Sequence, residues 1–330
     1  MAYRQYTQCI SASNHIGGVA AQSIIGAAIA ALPLLFGAAI VPALFMIALG
    51  AIIAYCRWWL YDRLICLGGD KCAVGMLLTV EPPEKKSALD RFDTDYSINL
   101  VLAPHRVGDT QADTEKDGIQ GELIKKQPDI EKYKLDWKGE TAKQWSNYPD
   151  TAVLHCEFEG AGVYDLLLAC LAALAFATAA TVVCSIPIIG WVACLVLELI
   201  AAAITAGGII VALNDTGNPN DVNSNLGELH VNDPTGRGAD ILVVKGTWVY
   251  DSAHEGWNEL HPIKHCQRIG TWEGNWNIDA KTWVDGWCNA IAQASDPLTV
   301  GNQDRPENQW TIHPVIDGCQ EDKPEPPVIK

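Results

Sequence analysis

Four side chains of the kinds that bind divalent metals, Asp251, His254, Glu259 and His261, fall within eleven positions of the chain. They belong to the stretch GTWVYDSAHEGWNELHP, residues 246–262. Successive side chains of a strand point to opposite faces, so Glu259 and His261, two apart, share a face. Asp251 and His254 sit on the adjoining turn. A hairpin here would gather two imidazoles and two carboxylates, a donor set suited to Zn²⁺, Mn²⁺ or Fe²⁺. His155 or Glu157 can join it from an earlier strand, and His230 from the loop before residue 241. An open position on such an ion would acidify bound water, the start of hydrolase chemistry. The same residue types also tie tight hairpins without any metal, by bonding backbone donors and one another. No nucleophile elbow or Ser-His-Asp arrangement is legible, so no catalytic residue is assigned.

Two further carboxylate features stand out. Asp93-Thr94-Asp95 places two carboxylates two apart at a strand entrance, where both would face one way and accept a divalent cation or simply water. Glu198 is the one strongly charged residue deep in a long apolar run. A carboxylate in mid-bilayer is costly, so it should face a partner helix or a watery cavity, protonated or binding an ion. Gly68-Gly69-Asp70-Lys71 lacks the spacing of a phosphate loop and reads as a turn.

The segment 246–262, of the form G-x-W-V-x-D-x-x-H-x-G-W-x-E-x-H-P, resembles one in uncharacterised bacterial proteins. The resemblance covers about a twentieth of the chain. It implies that Trp248, Asp251, His254, Glu259 and His261 act as one unit, and it brings no activity with it.

The elements that must position these residues are set by two nearly charge-free blocks, 16–61 and 162–213. A helix crosses a hydrocarbon core of about 30 Å with about 20 residues, so each block is long enough to cross twice. Pro42 suits the first turn of a second helix, which puts the first break at 37–41. Pro187 and Gly190 break the second block. Each block therefore predicts a transmembrane helical hairpin. Trp58, Trp59 and Tyr61, with Arg57 and Arg63, form an interfacial belt at the first exit. The many Gly and Ala residues allow close helix contact, including homo-oligomer formation.

Strands are predicted at 73–80, 96–103, 151–158, 241–251 and 257–265, with Gly246 at a bulge. The fold class is thus a membrane α+β protein: about four helices in two hairpins, and one small antiparallel β-barrel or sandwich split by the second hairpin. In order, the parts are a polar arm (1–15), the first hairpin (16–61) and the first part of the β-domain (62–161), which carries a charged excursion at 105–150. The second hairpin (162–213), the rest of the β-domain (214–266) and a Trp-rich extension (267–330) follow. Within the excursion one short helix is expected near 119–134. Within the extension, Trp283, Trp287 and Ile291 repeat at helical spacing, predicting an amphipathic helix at 281–294 that docks on the barrel.

The net charge of −16 argues against nucleic acid as a partner, because phosphate binding needs clustered Lys and Arg. The lipid bilayer is the expected partner. Even numbers of crossings leave both termini and the β-domain on one side, and Arg57 and Arg63 favour the cytoplasmic face. The 11 cysteines contain no C-x-x-C pair and leave the compartment open. The leading expectation is a multi-pass membrane protein displaying a β-domain that acts by binding or assembly. A membrane-tethered metal-dependent hydrolase and a pore-forming, toxin-like effector are the alternatives.

Overall fold

The computed structural model describes residues 7–13, 15, 40–83, 93–137, 139, 148, 150–184, 189–233, 237–253, 256–276 and 279–293. Five strands, β1 (Leu64–Glu81), β2 (Tyr96–Leu102), β3 (Leu154–Phe158), β4 (Arg237–Asp251) and β5 (Trp257–Glu273), close into a barrel in the order β1-β2-β3-β5-β4. All neighbours are antiparallel except β3 and β5, which pair in parallel through His155 with Glu259 and Cys156 with Leu260. The expectation of an antiparallel sheet is corrected to a mixed one. The reason is arithmetic: strand direction cannot alternate all the way round a closed ring of five.

β1 runs unbroken through residues 66–72, the stretch that reads as a turn. Its register against β4 shifts between Cys66 and Asp70, and Gly69 takes a positive φ of 72°, so the glycines form a bulge. Gly246 lies at two register shifts of β4 against β5, and a Cβ there would meet the Pro262 carbonyl oxygen at 2.8 Å. Such bulges let strands of this length curl into a small barrel.

One face of the sheet is apolar throughout. Leu77, Ile98, Leu100, Leu154, Cys156, Phe158, Val244, Trp248 and Leu260 pack there beneath Leu123, Ile124, Val222 and Leu226 from the covering segments. Among its described residues the excursion holds three short helical pieces, Gln111–Asp117, Gly121–Ile124 and Pro128–Lys132, the last two in place of the single helix expected near 119–134. On another part of the barrel, Val74, Met76, Val101 and Val243 pack with the helix Ala280–Gln293, through Val284, Ile291, Trp283 and Trp287. The Cys72–Cys288 disulfide fastens that helix, and Cys9–Cys66 fastens the N-terminal segment.

The second apolar block forms a pair of helices inserted between β3 and β4: α2 (Gly162–Cys184) and α3 (Ile189–Ala212), preceded in the chain by α1 (Ile40–Arg57). Met46, Leu49, Ile53 and Cys56 of α1 share a cluster with Leu166, Leu167, Cys170 and Ala173 of α2. α2 and α3 touch closely: a Cβ on Gly208 would sit 2.1 Å from the Ala169 Cβ. Two stretches, Gly162–Ala180 and Val192–Ala212, are long and apolar enough to cross a membrane. The outer side of α3 is bare, with Val192 65 %, Leu199 62 % and Ile210 64 % exposed. The predicted first crossing of the N-terminal block, the tip at 185–188 and the tail from 294 lie outside the described residues.

Candidate metal centre

Strand alternation builds the centre. On β3, Leu154, Cys156 and Phe158 take the apolar face, which sends His155 and Glu157 to the other. The pairing of Asn99 with His155, His155 with Glu259 and Ser97 with Glu157 then sets a polar row across β2, β3 and β5. His155 Nδ1 lies 3.0 Å from Asn99 Oδ1, and its Nε2 lies 3.3 Å from Glu157 Oε1. Ser97 Oγ donates to Glu157 Oε1 at 2.8 Å, and Trp257 Nε1 donates to Glu259 Oε2 at 3.4 Å.

His261, two positions beyond Glu259, enters the same cluster. Its Nδ1 stands 2.8 Å from Glu157 Oε2 and 3.2 Å from Glu259 Oε1; its Nε2 stands 3.5 Å from Asp95 Oδ2. Arg63 follows directly on the π-helical turn Trp58–Asp62 that continues α1. Its Nη1 donates to Asp251 Oδ2 at 2.8 Å, while Nη2 lies 3.5 Å from Asp95 Oδ2 and 3.7 Å from Glu157 Oε2. The guanidinium also stacks 4.3 Å over the Trp59 ring, a favourable cation–π placement.

The centre is fastened to the foot of α2. Asp95 Oδ1 accepts the Gly160 N–H at 2.6 Å, and Thr94 Oγ1 accepts the Gly162 N–H at 2.9 Å. The same polar cluster thus grips the end of α1, through Arg63, and the start of α2.

Electrostatics dominate it. Asp93, Asp95, Glu157, Asp251 and Glu259 are all buried, and Arg63 is the buried guanidinium facing them. Five buried carboxyl groups therefore face one buried guanidinium. Burial opposes the Arg63 charge, but Asp251, Asp93, Glu157 and Asp95 outweigh it and hold its pKa above the usual value. Burial and then the neighbouring Asp93 push Asp95 well above the carboxylate range. For His261 burial again opposes charge, yet Glu157, Glu259 and Asp95 prevail and keep its proton bound more tightly than in water.

Two overlapping triads offer metal-ligand geometry: Asp95, Glu157 and His261, and His155, Glu157 and Glu259. In each, one ligand atom per residue lies within 4.8 Å of the others, and every member is buried. Of the residues singled out in the sequence, Glu259, His261, His155 and Glu157 come together here, and Asp251 joins the cluster as the partner of Arg63. His254 lies outside the described residues. His230 is elsewhere, its side chain 60 % exposed and 3.5 Å from Asp240. Glu198 sits half-buried on α3. Sequence reasoning missed Arg63, read as an interfacial cation, and Ser97 and Asn99, which carry no signal of their own. Asp95 was visible as half of the Asp93-Thr94-Asp95 pair.

Compared with known proteins, the chain matches no family model, no curated protein and no solved structure.

Proposed function

We propose that this is a multi-pass membrane protein whose apolar helices lie in lipid and carry the barrel at one face, where it works by binding or assembly. The observation that supports this best is the outer side of α3, where Val192, Leu195, Leu199, Ile210 and Val211 are about half or more exposed on a helix whose one charged residue is Glu198. Water would penalise that surface, whereas acyl chains would not. At about 1.5 Å per residue, α2 and α3 each span about 35 Å, enough for a hydrocarbon core. Gly207, with open space around it, leaves α3 a shallow groove where a second copy could pack through small residues. Membranes washed at alkaline carbonate pH should retain the protein, and detergent should release it. Recovery in the carbonate supernatant would end the proposal.

A second reading, a pore-forming effector that inserts after delivery, draws on the disulfides. Cys9–Cys66 and Cys72–Cys288 tie flanking segments to β1 of the barrel, and Cys194, near the start of α3, is also disulfide-bonded. Cytosol keeps thiols reduced, so oxidised cysteines at both ends of a crossing hairpin favour folding in an oxidising compartment before insertion. They also weigh against the cytoplasmic side for the barrel, and Arg63, being buried in ion pairs, adds nothing to the charge bias there. Oxidised protein added to dye-loaded liposomes should release the dye under this reading. Intact vesicles would leave the constitutive anchor. The hydrolase alternative gains little, because the ligand groups are sealed from solvent and catalytic metals keep an open position.

A further inference from the structure

We infer that Asp95, Glu157 and His261 form a closed divalent-cation site that locks the barrel to the feet of the apolar helices. Three observations carry it. The residues are 3 %, 1 % and 1 % exposed, and their ligand atoms converge from the foot of β2, from β3 and from β5 within 4.8 Å. His261 Nε2, fully buried, makes no hydrogen bond although Asp95 Oδ2 stands 3.5 Å away. That spacing fits two ligands of one ion: bonds of about 2.0–2.2 Å at tetrahedral angles separate ligand atoms by about 3.4 Å. The third observation is the excess of buried carboxyl groups, five against the one guanidinium of Arg63, which a dication would offset.

Arg63 makes its short bond to Asp251 and its ring contact to Trp59, and reaches Asp95 and Glu157 only at 3.5 and 3.7 Å, so it is the supporting partner of these carboxylates. Ser97 Oγ, bonded to Glu157, plays the same orienting part. One imidazole and two carboxylates select Zn²⁺, Mn²⁺ or Fe²⁺ over Ca²⁺ or Mg²⁺, which take all-oxygen shells. Asp95 and its neighbour Thr94 hold the Gly160 and Gly162 N–H groups, so the ion would fix the exact residues from which α2 departs.

The test uses the full chain, purified in detergent, stripped with chelator and titrated with Zn²⁺ and Mn²⁺ separately. One equivalent should bind, and binding should be lost in H261Q and E157Q. Ser97→Ala should weaken it about tenfold, as outer-shell changes do. His230→Ala, outside the cluster, should bind as the parent does. X-ray absorption of the parent protein loaded with Zn²⁺ should show nitrogen and oxygen ligands, a readout that needs no variant. No stoichiometric ion in the parent, sulfur in the shell, or undiminished binding by folded H261Q would each overturn the site. Membrane retention is measured separately, so failure here leaves the membrane proposal standing, and the converse.

Discussion

Arg63 meets its partners from far along the chain: Asp95 lies 32 residues on and Asp251 188 residues on. Removing one member of a buried ionic network leaves the others uncompensated, at a cost of about 3–5 kcal/mol. Arg63→Met should therefore destabilise the protein by about that amount in chemical denaturation. Unchanged stability would mean the network is slack. A second prediction concerns pH. Asp95 and His261 both hold protons more tightly folded than unfolded, so stability must fall as pH rises. The Asp95 contribution fades above the ordinary value of 3.8 and that of His261 above 6.5, each through its raised native value. In EDTA the melting temperature should decline steadily from mildly acidic to alkaline buffer. A rise over that range would contradict the assignment of these two groups as proton-holding.

Among the elements, the contact of α2 with α3 is the most sharply testable. Gly208 abuts the Ala169 Cβ, whereas Gly207 faces open space. Gly208→Val should push the helices apart and cost about 1–3 kcal/mol, as overpacking does, while Gly207→Ala should be tolerated. Thermal melts of the two variants in the same detergent decide it. The Cys72–Cys288 disulfide closes a separation of 216 residues, so replacing both cysteines by serine should lower stability by about 2–4 kcal/mol and loosen the helix Ala280–Gln293 from the barrel. That helix was legible because Trp283, Trp287 and Ile291 recur at its period, and β3 because its apolar residues alternate. The start of β1 was not, since Gly68-Gly69-Asp70 carries the chemistry of a turn and only barrel closure makes it a bulge.

For the molecule as a whole, the chain order of strands and apolar helices could be read from patterning, because burial periodicity is local. The parallel pairing of β3 with β5 and the meeting of Arg63 with four carboxylates could not, because both follow from closing a ring of five strands. Glu259 and His261 were found by their spacing; their third and fourth companions came from distant strands. The central claim is that lipid covers the outer side of α3. A fluorophore on a cysteine at Leu199 in reconstituted vesicles, with bilayer-centre brominated lipid as quencher, tests it most directly. Strong quenching there, with none for the same label at the exposed barrel-side residue Glu131, is the predicted result. Equal, weak quenching at both positions would contradict it.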